Sequence, residues 1–141
     1  MGKVVLVACT SVGRAMIEII CSRDAIKGVE LTGIVNLKLE AAVEKANYDS
    51  YMDLVKKYKL NIYYCNSVNE PECIQFLKSC RPDVIIQSGW SQKFKQEILD
   101  IPVYACIGEH PAPLPRGRGA ACINWAIITG EREWGDSFFT K

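Results

Sequence analysis

The sequence predicts an α/β domain: a mostly parallel sheet with helices on both faces. Three observations carry that expectation. Apolar runs of strand length alternate with longer helix-patterned stretches from the first residue onward, the runs are rich in Val, Ile, Tyr and Cys, and 141 residues suit one compact core. Strands are expected at residues 3–8, 30–36, 61–65, 83–88 and 103–108, and a sixth is expected to begin within 133–141.

Helices are expected between them. Residues 13–22 carry Met16, Ile17, Ile19 and Ile20 on one helical face, and residues 50–58 open on Ser50, a capping type, before Met52, Leu54 and Val55. Asn69-Glu-Pro-Glu places a cap, a proline and acids at the start of a helix over 69–80; a short helix follows at 92–99. The apolar stretch 120–129 stops at Gly130. The whole of 1–141 reads as one domain. The ending "WGDSFFTK" falls inside or just after a strand, as a part of a longer polypeptide would.

Composition excludes several classes. Seventeen basic and 16 acidic residues leave a net charge of +1, so no global field draws the chain to nucleic acid or to an anionic membrane, and any anion site must be local. The opening apolar run is too short for a membrane span and lacks the cleavage pattern of a secretion signal, so a cytoplasmic protein is expected. Seven cysteines are an odd number and none forms a Cys-x-x-Cys pair, which points to buried free thiols. With a single histidine, a protein-built metal site is not expected.

In open α/β sheets ligands bind at the carboxyl ends of the strands, and three loops there carry polar or special residues. "ACTSVGRAM" offers Thr10, Ser11, a helix N-terminus and nearby Arg14; it lacks Gly-x-Gly-x-x-Gly, so a dinucleotide-binding dehydrogenase is the weakest reading. An ordinary strand-to-helix turn explains it as well as an anion contact does. In "QSGWSQKF", Gly89 lets a ligand approach the backbone and Trp90 offers a flat apolar wall, although a tryptophan there is more often packing.

The third loop is "GEHPAPLPRGRGA", residues 108–120, which holds the only histidine. Prolines at 111, 113 and 115 stiffen it without hydrogen bonds, and Arg116 and Arg118 lead into a helix whose positive end could help to hold an anion. His110 on such a loop either exchanges a proton with a substrate or merely satisfies loop carbonyls; its place at a strand end favours the first. A proline-rich peptide ligand is a minor alternative.

"HPAPLPRGRGAACINWAIITGE" resembles the formyltransferase family that uses 10-formyltetrahydrofolate, and "PDVIIQSGWSQKFKQEIL" is similar to that family's strand and loop on the folate side. The likeness spans nearly the whole chain. It implies a Rossmann-like N-terminal catalytic domain, here incomplete at its C-terminal end, and formyl transfer to a primary amine without a metal.

Within the resemblance, His110 matches the family's histidine at the reacting centre. Gly89, Trp90, Ser91, Gln92, Lys93 and Phe94 match the pterin loop, and Leu114 and Pro115 match a Leu-Pro pair beside the chemistry. Thr10, Ser11, Arg116 and Arg118 are the expected substrate or anion contacts. The pattern looks closest to enzymes that formylate nucleotide-linked amino sugars. A sugar nucleotide is therefore the expected partner, with methionyl-tRNA ranked behind it, no membrane partner, and a homodimer as an open option.

Two departures from the pattern stand out. Gly108 occupies the place of the family's asparagine, an oxyanion donor whose loss typically costs on the order of a hundredfold in rate, and the neighbouring Glu109 is a poor substitute because a carboxylate repels an oxyanion. The family's aspartate, in an Asp-x-Gly loop, is due beyond Lys141. These 141 residues alone are thus expected to have low activity or none. A non-catalytic folate- or nucleotide-binding module, or an inactive fragment, is the alternative of another class.

Overall fold

The structure is a computed structural model and describes residues 1–22 and 26–141. Six strands form one sheet: β1 (Gly2–Ala8), β2 (Val29–Leu37), β3 (Ile62–Cys65), β4 (Val84–Ser88), β5 (Ala105–His110) and β6 (Ser137–Thr140). Their order is β3-β2-β1-β4-β5-β6; the first five run parallel and β6 is antiparallel to β5. The helices are α1 (Ser11–Cys21), α2 (Met52–Tyr58), α3 (Pro71–Cys80), α4 (Gln96–Leu99) and α5 (Cys122–Ile128), with a single 3-10 turn at Leu39–Ala41. No helix among the described residues is long and apolar enough to cross a membrane.

Parallel strands buried on both faces explain the near-continuous apolar runs that made the strands legible. On one face Leu6, Ala8 and Ile34 pack with Ile17 of α1 and with Tyr51 and Leu54. On the other, Val5, Val7, Val35 and Ile85 pack with Cys73, Ile74 and Leu77 of α3 and Ile98 of α4. All seven cysteines are free thiols, and burial pushes the Cys106 thiol up to about 11.

Several elements differ from the sequence-based expectation, for identifiable reasons. β5 continues through His110 because β6 pairs with its last residues, Glu109 opposite Phe138 and His110 opposite Ser137. The helix expected over 92–99 is confined to Gln96–Leu99. Side chains hold the preceding residues in a turn, with Lys95 N donating to Asn69 Oδ1. Asn69 is thereby diverted from capping α3, whose N-cap is Glu70. Ser50 does not cap α2 either: Tyr51 takes that position in the left-handed region, its amide bonded to Asp49 Oδ1 at 2.9 Å.

Close packing of α1 against the 49–53 segment fixes the first loop. Tyr51, fully buried, donates its hydroxyl to the Thr10 carbonyl at 2.7 Å. Gly13 faces that ring, and a Cβ there would overlap the Tyr51 hydroxyl and the Ala8 side chain. Gly13→Ala is therefore expected to destabilise the domain by about 1–3 kcal/mol, measurable by urea denaturation.

Arg14 forks onto two carboxylates, Nε to Asp49 Oδ2 at 2.5 Å and Nη2 to Asp53 Oδ1 at 2.7 Å. This pairing holds Asp49 below its usual value and takes Asp53 down to about 2 from 3.8. A carboxylate whose folded value is depressed stabilises the fold above its unfolded value and loses that contribution as pH falls through the folded one. Denaturation midpoints are thus expected to drop between about pH 4 and about pH 2, and an Arg14→Met variant is expected to lose much of that slope.

Candidate active site

The strand order reverses between β1 and β4: the chain proceeds from β1 to β2 on one side and from β4 to β5 on the other. The loops leaving these strands diverge, and a cleft of about 330 Å³ opens at the carboxyl rim of the sheet. The exit of β4 supplies Gly89, Trp90 and Ser91; β5 and its exit supply Glu109, His110 and Pro111; Val12, Lys45 and Ile123 close the sides.

Each wall has a structural cause. Gly89 lies in the left-handed region at φ +60°, with its Cα against the Thr10 side chain, so any Cβ would collide there. Trp90 is buried, and its carbonyl accepts from Gln87 Nε2 at 2.6 Å, which locks the turn. The indole Nε1 is buried without a hydrogen-bond partner among the described residues, as is Thr10 Oγ1. Lys45 donates to Ser91 Oγ at 2.9 Å and brings one positive charge to the cleft.

His110 ends β5 at the cleft. Its Nε2 lies 2.9 Å from the Gly117 carbonyl. A carbonyl only accepts, so Nε2 carries the proton and Nδ1 is left to accept or donate one. The loop carbonyl thus claims one ring nitrogen of a histidine that lines the cleft. Beside it, Glu109 Oε2 accepts from the Ser88 hydroxyl at 2.5 Å, and Ser88 is only 1% exposed.

The 111–117 loop is held by hydrogen bonds, contrary to the expectation of stiffness from proline alone. Ala112 N donates to the His110 carbonyl at 2.8 Å and Leu114 N to the Ala112 carbonyl at 2.9 Å. The Pro111 carbonyl accepts from Trp134 Nε1 at 2.8 Å and from the Cys122 thiol at 3.2 Å. The Leu114–Pro115 peptide is cis.

Of the residues singled out from the sequence, His110, Gly89, Trp90 and Ser91 share the cleft. Others lie elsewhere. Gln92 spends its side chain on the neighbouring loop, accepting from Val68 N at 2.8 Å and donating to the Asn66 carbonyl at 2.9 Å. Lys93 is exposed and its carbonyl accepts from Asn69. Phe94 packs on the core beneath Lys141 Nζ, 4.6 Å from its ring centre. Thr10 backs Gly89, and Ser11 is the exposed first residue of α1.

Leu114 and Pro115 are exposed and do not line the cleft. Arg116 stacks on Trp134 at 5.4 Å and pairs with Glu131 at 3.4 Å, which turns it away, while Arg118 is exposed. Arg14, tied to Asp49 and Asp53, is not a free anion ligand. Sequence reasoning missed Lys45, which sits in an irregular segment with no motif, and the Ser88 partner of Glu109, which becomes visible only through strand register.

Comparison with known proteins agrees with this architecture. The formyl transferase family profile matches residues 4–140. Methionyl-tRNA formyltransferase of Clostridium novyi (strain NT) is 50% identical over 68 residues, 48% of this chain and 22% of the relative. That of Caldanaerobacter subterraneus is 40% identical over 92 residues, 64% of this chain and 30% of the relative. The matched stretches therefore span less than a third of these relatives' length.

Among solved structures, phosphoribosylglycinamide formyltransferase from Bacillus halodurans superposes with a TM-score of 0.77 at 18% identity, covering 98% of this chain and 71% of that one. The likeness at that identity is one of fold, and it matches the Rossmann-like sheet expected from the sequence. Because the family profile extends over all but the first three residues and the last, this chain belongs to the formyl transferase family.

Proposed function

We propose that this chain is the N-terminal catalytic domain of an enzyme that transfers a formyl group from 10-formyltetrahydrofolate to a primary amine, with methionyl-tRNA as the acceptor. The observation that carries this reading is His110 at the rim of the sheet, in one cleft with Gly89 and Trp90, in a chain of the formyl transferase family. The acceptor follows the relatives named methionyl-tRNA formyltransferase. It replaces the nucleotide-linked amino sugar ranked first from the sequence, which these relatives do not support.

The cleft suits the reacting head of the donor. About 330 Å³ is at the small end of ligand pockets, suited to the bicyclic ring and the nearby formyl-bearing N10 rather than to a complete folate. Trp90 and Gly89 offer a flat wall and open backbone, and Lys45 with Ser91 offers donors at the edge. Bound there, 10-formyltetrahydrofolate supplies the formyl carbon. His110 Nδ1 is left available for a hydrogen bond or proton exchange with the reacting groups, because Nε2 is committed to Gly117.

The direct test incubates the full-length protein with 10-formyltetrahydrofolate and either methionyl-tRNA or a nucleotide-linked amino sugar, with mass spectrometry of the product amide. Formyl-methionyl-tRNA is the expected product; absence of a formyl amide from every acceptor would remove the reading. His110→Ala is expected to lower kcat by about a hundredfold to ten-thousandfold while leaving donor binding largely intact. Gly89→Val, strained at φ +60° and driven into Thr10, is expected to weaken donor binding by at least about tenfold, seen as a raised Kd in fluorescence titration.

A further inference from the structure

Glu109 is the one carboxylate of the cleft, and it is built in rather than incidental. The β4–β5 register, with Gln87 opposite Gly108, places Ser88 beside Glu109 on the same face of the sheet. The Ser88 hydroxyl, almost wholly buried, donates to Oε2 at 2.5 Å and fixes the carboxylate. Pairing of Glu109 with Phe138 across β6 holds the backbone from the other side.

That carboxylate has unused capacity. An ionised carboxylate offers about four acceptor positions, and Ser88 fills one. Lys45, in the same cleft, is bonded to Ser91, and no ion pair of Glu109 occurs among the described residues. A half-buried carboxylate without a cation, lining one cleft with His110, calls for a positively charged hydrogen donor.

We propose that Glu109 receives the acceptor's amino group, holding it as an ammonium and taking its proton as the amine attacks. This rests on the formyl-transfer reading above. Glu109 takes one proton from the ammonium, and the lone pair so freed forms the new bond to the formyl carbon; as the bond from that carbon to folate N10 breaks, a second proton passes from the attacking nitrogen to N10, and Glu109 releases its own proton to solvent. Ser88 is then a positioning residue that aims the carboxylate. The feature that makes Glu109 a poor oxyanion donor, its negative charge, is the one that suits it to the amine.

Glu109→Gln is a suitable probe because an amide oxygen still accepts from Ser88 while the charge is lost. In the full-length protein, equilibrium binding of methionyl-tRNA and of a nucleotide-linked amino sugar is compared with that of their N-acetylated forms, without a formyl donor. In at least one of these arms the wild type is expected to favour the free amine by about tenfold, and Glu109→Gln is expected to bring the two forms within about twofold. Glu109→Asp should restore part of the preference. Equal binding of the two forms by the wild type in both arms, or an unchanged preference in Glu109→Gln, overturns the proposal.

Turnover supplies the separate check. With the acceptor the wild type formylates, Glu109→Gln is expected to lower kcat/KM about a hundredfold with the Kd for 10-formyltetrahydrofolate unchanged. Full turnover in Glu109→Gln overturns the role of Glu109 alone, whereas a wild type that discriminates amines yet forms no amide overturns the formyl-transfer reading alone.

Discussion

Parallel pairing of β1 with β4 is the constraint on which the rest of the site depends. The register from Val4 opposite Val84 to Ala8 opposite Ser88 brings both strands to the rim at the same level. From that line the connections diverge, with α1 and α2 covering one face and α3 and α4 the other. A gap between loops that turn away from each other is the geometric result. Its floor is fixed by packing: Thr10 lies against Gly89, and the buried Tyr51 hydroxyl anchors the Thr10 carbonyl. Asn36, also buried, donates to the Asp49 carbonyl and ties the same segment to β2.

β5 brings Glu109 and His110 to that gap, and its successive residues alternate between faces. Glu109 shares the α1 face with Ser88, whereas His110 follows Gly108 and Cys106 on the α4 face, and both side chains reach the cleft only because the strand ends there. β6 makes β5 an inner strand. The carbonyls of Pro111 and Ala112 are then claimed by Trp134, Cys122 and Ser137, so the chain beyond the histidine is held by contacts with residues well downstream. Each of these two carbonyls accepts twice, Pro111 from Trp134 and Cys122 and Ala112 from Leu114 and Ser137, so no single lost bond leaves either unpaired.

Much of this was legible in the sequence because parallel strands carry their signal locally. The apolar runs located all five parallel strands, and the rule that ligands gather at strand ends pointed to the loops after β1, β4 and β5. What escaped depends on side chains meeting across long separations. Nothing near Gln92 announces that its amide braces residues 66–68, and nothing near Arg116 announces Trp134 as a stacking partner. Lys45 enters the cleft from an irregular segment. Glu109 was visible, but without strand register a glutamate beside a histidine shows no sign of the buried serine bonded to it.

Gly108 has a meaning beyond the missing side chain. It lies opposite Phe139, and a Cβ built there would come within 2.8 Å of the Phe139 ring and of the Lys141 stem. A side chain at 108 would thus meet the far ends of two exposed side chains rather than backbone. An asparagine at 108 requires the Phe139 ring and the Lys141 stem to turn aside, which both flexible side chains can do. Positions 108, 139 and 141 therefore touch across the β5–β6 pair, and a chain with a larger residue at 108 should carry differently turned side chains on the facing strand.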